Sequence, residues 1–178
     1  MMPSPAPSLL SPASWSGVDV DKMGVGLVPS FPIGGKANVE ATKIRLVSLL
    51  PTHAQCDVLV AYYYDHCDYL YRAIHVPTFR AQYTRLWTQH VLDIDLAWLS
   101  LLLSILSVAA SVVPTEVCEG FQLQSSELRK LCQVWHLASG QALQAIDFES
   151  HPTLTQLQTF IVSQLYCFVT NDVESFNS

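Results

Sequence analysis

The sequence predicts an all-α fold: a partial bundle of about five helices behind a disordered N-terminal leader. Three observations predict it. Six of the ten prolines and five of the seven glycines fall in the first fifty residues. Stretches such as "PSPAPSLLSPAS" and "VPSFPIGG" cannot sustain a helix or a central strand, because proline removes backbone donors and glycine raises the entropy lost on ordering. From Pro51 onward apolar residues recur at spacings of three and four, the period of a helix with one buried face. No strand-type alternation competes with that period. The length of 178 residues suits one domain, and a hydrophobic content of 50% suffices for a core.

Residues 1–38 read as the leader, and "VEATKIRLVSLL" (39–50) as a short helix that meets the domain. The boundary is placed after residue 42, giving a leader over 1–42 and a domain over 43–178. Thr52 is the expected N-cap of the first bundle helix, with Cys56, Leu59, Val60, Tyr63, Cys67 and Leu70 inward. Asp68 is expected to pair with Arg72 at i+4. Pro77 disfavours the α region at Val76, so a corner is expected there. Thr78 then caps a second helix with Phe79, Tyr83, Leu86 and Trp87 on one side. The third helix is the apolar run ending before Pro114, and a loop follows through Gly120. The fourth spans about Ser126 to Ile146, with Leu128, Leu131, Trp135, Ala138, Ala142 and Ile146 inward. Thr153 and Gln156 form a capping box for the fifth.

The third helix needs a membrane test. "LAWLSLLLSILSVAASVV" (96–113) is uncharged and just long enough to span a bilayer. Ser100, Ser104, Ser107 and Ser111 share one face, and no Lys or Arg anchors either end. A one-sided serine stripe favours close helix packing in a core. A membrane protein with one or two spans, at 96–113 and 154–169, is the alternative.

Charge and cysteine content exclude several functions. The net charge is −6 and the nine Lys and Arg are scattered, so direct nucleic-acid binding by this chain alone is not expected. Five cysteines without regular spacing point to reduced thiols rather than a disulfide framework. The N-terminus lacks the charged and apolar regions of a secretory signal.

The stretch "YYYDHCDYLYRAIHVPTF" (62–79) holds two His, one Cys and two Asp. On a helix, however, Asp65 and Asp68 share a face that His66 and Cys67 do not, and Cys56 and Cys67 lie about 16 Å apart along the axis. No metal site is expected. His75 has no nucleophile motif to serve as a base, and Gly34-Gly35 lacks the Lys-Ser/Thr of a phosphate loop. No catalytic residue and no cofactor follow from these residues. His75, Pro77, Thr78 and Phe79 are expected to be a structural corner, with the His75 ring bonded to freed backbone groups.

That corner carries a resemblance. "LLPTHAQCDVLVAYYYDHCDYLYRAIHVPTFRAQYTRLW" resembles the start of the regulatory, or middle homology, domain of fungal zinc-cluster transcription factors. The matching features are Leu50-Pro51, the Tyr62-Tyr63 pair, the His75-x-Pro77-Thr78-Phe79 corner, and Tyr83 and Trp87. An apolar helix, an Ala-rich helix around Trp135, and Leu157-Gln158 in the last helix extend the likeness over about 43–175. The six-cysteine zinc cluster of that family has no counterpart here, since no cysteine precedes Pro51.

The resemblance implies a non-enzymatic transcription-regulation protein like a truncated zinc-cluster factor, located in the nucleus, with the cytoplasm as the alternative. It would control a metabolic or secondary-metabolite gene set through protein–protein contacts. The competing reading is a small-ligand-binding or accessory protein of a fungal biosynthetic pathway. The C-terminal helix, apolar nearly all round over 161–169, is expected to engage a protein partner or a second copy.

Overall fold

A computed structural model describes residues 36–119, 125–146 and 153–176, with side chains over 39–117, 127–146 and 153–170. The described residues form seven α-helices: α1 (Lys36–Ser48), α2 (His53–His66), α3 (Val76–Leu86), α4 (Leu96–Val112), α5 (Thr115–Glu119), α6 (Ser125–Ala145) and α7 (Leu154–Phe176). Short 3-10 turns lie at Asp68–Leu70 and Val91–Asp93, and no strand occurs among the described residues. The five helices expected of the bundle correspond to α2, α3, α4, α6 and α7. Two differences concern the ends of the expected segments. Residues 36–42, assigned to the leader, belong to α1, and the rest of that leader lies outside the described residues. The expected loop before Gly120 contains α5.

Helix α4 is the axis of the molecule. Every residue from Leu96 to Ala110 is buried, because α2, α6 and α7 pack around it. Asp95 caps it, accepting from the Ala97 N–H at 2.9 Å, and the chain leaves it before Pro114. No helix of the described residues is long and apolar enough to cross a membrane.

The serine stripe meets the neighbouring helices directly. Ser107 donates to the Cys132 carbonyl at 2.9 Å. Ser139 donates to the Ser100 carbonyl at 2.8 Å and lies 2.7 Å from Ser104. A hydroxyl has one proton, so with Ser139 committed to Ser100, Ser104 is the donor to Ser139. Ser100 and Thr159 approach to 3.3 Å, yet each also donates to a carbonyl of its own helix, Ala97 and Thr155. Only one such bond at a time can be exchanged for the interhelical one. Small side chains let the backbones approach closely, and each hydroxyl finds an acceptor without water.

The outer helices are tied on by longer side chains. The Trp135 indole N–H donates to the Leu49 carbonyl at 2.8 Å, joining α6 to the end of α1. Arg45 reaches Gln141 at 2.8 Å, and Lys43 reaches the Leu92 carbonyl at 2.8 Å. Of the inward residues expected on α6, Leu128, Leu131, Trp135, Ala138 and Ala142 are buried, and Ile146 is half-buried.

Candidate functional site

The site is built from two surfaces that meet: the corner between α2 and α3, and the outer face of α7. Thr52 and Gln55 start α2 with a capping box, the Gln55 N–H on the Thr52 hydroxyl at 3.4 Å and the Thr52 N–H on the Gln55 amide oxygen at 3.2 Å. The inward face of α2 holds Cys56, Leu59, Val60, Tyr63 and then Cys67. The helix ends at His66 instead of continuing to Leu70, and two expectations fail with it. Leu70 is exposed, because the 3-10 turn shifts it off the helical face. Arg72 sits at φ 46, a left-handed conformation strained for a side chain with a Cβ. Arg72 still acts on Asp68 through its charge, but not across a helical turn: the bond that forms is the Arg72 N–H on the Asp68 carbonyl at 2.7 Å.

The chain therefore turns between Cys67 and His75, with Arg72 left-handed and a bend at Ile74, ahead of Pro77. Val76 and Pro77 are already in α3, where proline is tolerated because the first-turn N–H groups have no helical partner. The N-cap is His75 in extended conformation, and Thr78 is the third residue of the helix rather than its cap. His75 and Thr78 share a hydrogen bond, Nδ1 to Oγ1 at 2.8 Å, at the exposed surface. The His75 ring thus binds a side chain, not the freed backbone groups expected from sequence.

Pro77 is exposed, and Phe79 is buried. Its ring lies 5.8 Å from Tyr64, 5.6 Å from Trp98 and 6.1 Å from Tyr83. The structure so brings His75 to Thr78, and sends Phe79 inward away from both.

The electrostatics of this region do not suit nucleophilic chemistry. Burial pushes the Cys67 thiol up to about 11, with the Asp68 charge adding to it. Burial also raises Cys56 well above the ordinary thiol range, and raises Cys132. These thiols are protonated near neutral pH and are poor nucleophiles. Burial raises the Asp68 carboxyl, opposed by the Arg72 charge, and its Oδ1 is buried without a hydrogen-bond partner. Among the described residues no three His, Cys, Asp or Glu gather as metal ligands.

The second surface starts at another capping box. The Thr153 N–H meets the Gln156 amide oxygen at 2.6 Å, and the Gln156 N–H meets the Thr153 hydroxyl at 3.3 Å. The face of α7 turned to the core carries Gln156, Thr159, Val162 and Leu165, two of them polar. The apolar residues Leu154, Leu157, Ile161 and Phe168 are turned to the surface. An apolar all-round helix would bury its largest side chains; here an inward position goes to Thr159, whose hydroxyl donates to the Thr155 carbonyl of its own helix and lies 3.3 Å from Ser100 on α4. The amide of Gln158 donates to the Ala73 carbonyl at 2.7 Å, which sets α7 beside the corner. There Tyr69, Leu70 and Tyr71 are exposed. Sequence reasoning singled out Leu157-Gln158 but missed this turn, whose exposure follows from the early end of α2.

Comparison with known proteins gives two relatives. The chain is 31% identical over 139 residues to the Agnestins biosynthesis cluster transcription factor AgnL11 of Paecilomyces divaricatus, which covers 72% of this chain and 20% of that protein. It is 46% identical over 44 residues to transcription factor opdR of Penicillium oxalicum, covering 25% of this chain and 6% of that protein. The chain thus spans a fifth or less of the length of these relatives. No protein-family model and no solved structure matches it.

Proposed function

We propose, on the premise that this chain is a relative of fungal transcription factors, that it is a non-enzymatic regulator of transcription acting through protein–protein contacts in the nucleus. The observation that carries the reading is the outer face of α7: large apolar side chains at the surface of a helix that has no charged residue from 153 to 170. Such a face suits contact with protein and offers little to a phosphate backbone. The net charge of −6 supports contact over direct DNA reading. The raised thiols support a non-enzymatic role. One relative is named for a biosynthesis cluster, and we extend that to this chain as control of a secondary-metabolite gene set. In this reading the chain is a regulatory part resembling that of zinc-cluster factors, and the His75–Phe79 corner fixes the angle at which the contact surface is held.

The test is a fusion of the full chain to a heterologous DNA-binding domain above a reporter gene in a filamentous fungus. Reporter output is expected to depart from that of the DNA-binding domain alone, and Leu157→Glu is expected to return it to that level. A nuclear, folded fusion with the output of the DNA-binding domain alone would overturn the reading.

A further inference from the structure

Residues 67–72 come close to continuing α2 without completing it. The Cys67 N–H meets the Tyr63 carbonyl at 2.8 Å, and the Arg72 N–H meets the Asp68 carbonyl at 2.7 Å. Both are four-residue bonds of the α-helical kind. Between them Leu70 and Tyr71 bond only three residues back, to the Cys67 and Asp68 carbonyls. Such a short 3-10 stretch often marks a hinge or a sequence under strain. Cys67 and Tyr71 stand at φ −122 and −124, about 60° from the helical value. Arg72, at φ 46, has the opposite sign.

Three features of this turn are unfavourable. Arg72 is left-handed, which costs a residue that carries a Cβ. The Asp68 Oδ1 is buried without a hydrogen-bond partner. Leu70 is exposed. One change relieves all three. If the Leu70 and Tyr71 N–H groups slip by one residue, to the His66 and Cys67 carbonyls, α2 runs on to Arg72. Arg72 is then right-handed and stands one turn from Asp68, where the two side chains pair. Leu70 lies three residues past Cys67 and seven past Tyr63, both buried, and so joins the inward face.

Two contacts hold the turn as it stands. Ile74 is buried, and Gln158 of α7 donates to the Ala73 carbonyl at 2.7 Å. Reversing φ at Arg72 redirects the chain from Ala73 onward, so the longer helix breaks both. We propose that residues 67–72 are a two-state segment, in which α2 either stops at His66 or runs on to Arg72, and that the docking of α7 through Gln158 selects the shorter form. This goes beyond the regulatory reading and does not depend on it. It couples the corner to α7: whatever draws α7 from its seat lengthens α2, and whatever favours the short α2 tightens α7 by the same factor.

Chemical exchange saturation transfer at the Cα carbons of the full chain tests this, because it detects sparsely populated forms. Wild type is expected to show a minor form in which Cys67, Tyr71 and Arg72 move together to helical shifts. Gln158→Glu keeps the size of the side chain and cannot donate to the Ala73 carbonyl when ionised. It is expected to raise the ratio of long to short form about fivefold, the effect of one lost hydrogen bond. Should that variant lose helical circular dichroism, Gln158→Ala replaces it with the same expected rise. Arg72→Gly accepts the positive φ without strain and weakens a helix, so it is expected to lower the ratio at least about fivefold.

The absence of a helical minor form from both wild type and the Gln158 variant would overturn the two-state segment. So would a minor form in which 67–72 moves to coil shifts, since that is local unfolding and not a longer helix. A helical minor form whose population ignores Gln158 would overturn the role given to α7.

Discussion

Phe79→Ala probes the corner most directly. Phe79 is 2% exposed and touches rings from three elements. An aromatic side chain buries about 150–250 Å², which at ~25 cal/mol per Å² gives an upper figure of about 4–6 kcal/mol. Measured truncations of buried phenylalanine cost about 3–5 kcal/mol, because neighbours relax only partly into the cavity. Tyr64 and Trp98 are held by other contacts and cannot close the gap fully, so the loss is expected in that range. Phe79→Leu keeps most of the apolar volume and loses the ring contacts, so it is expected to cost about 1–2 kcal/mol. Thr78→Ala next door removes one exposed hydrogen bond with His75 and is expected to stay within about 0.5 kcal/mol. Urea denaturation followed by circular dichroism, with the slope unchanged among variants, supplies the comparison. If Phe79→Ala shifts the midpoint no more than Thr78→Ala, the ring is not part of the core and the corner argument fails.

Two further outcomes follow from the interior. Ser139→Val places a methyl group where Ser104 finds its acceptor and removes the bond to Ser100; it is expected to cost about 1–3 kcal/mol, whereas Ser111→Ala, at a hydroxyl bonded within its own helix, is expected near zero, both by urea melts. His136 stacks on Tyr166 at 4.2 Å, and burial lowers its pKa below the ordinary 6.5. The unfolded state therefore binds the proton more readily, so the stability that neutral His136 contributes is present above the unfolded pKa and is lost as pH falls below about 6.5. Thermal melts between about pH 7.5 and 5 should show this loss, and His136→Phe should flatten it; an unchanged slope would refute the assignment.

Much of the fold was legible because single residues stop helices. Asp95 and Pro114 bracket α4, and the Thr153–Gln156 box opens α7 where the sequence placed it. The corner was legible in outline only. A left-handed Arg72 has no sequence signal, since glycine or asparagine is the usual occupant, and the early end of α2 that exposes Leu70 and the Tyr69–Tyr71 turn had none either. The inward face of α7 was hidden for a different reason. Hydropathy ranks Gln156 and Thr159 as surface residues, but both are buried, and Thr159 hides its polarity by donating to the Thr155 carbonyl of its own helix, 3.3 Å from Ser100 of α4. The period of a helix says which residues share a face and not which face the rest of the molecule will choose.

The serine stripe also bears on how the chain reaches this arrangement. Its links close loops of increasing size: 25 residues for Ser107 to Cys132, 35 for Ser104 to Ser139, and 59 for Ser100 to Thr159. Loop-closure entropy grows with the logarithm of length, so the last link is about 0.8 kcal/mol harder to close than the first if formed alone. Once Ser107 and Cys132 meet, however, the next link encloses only the few residues added on each side. The α4–α6 pair is therefore placed to zip from its Val112 end towards Leu96. Helix α7 docks after it, against a surface whose hydroxyls are already aligned.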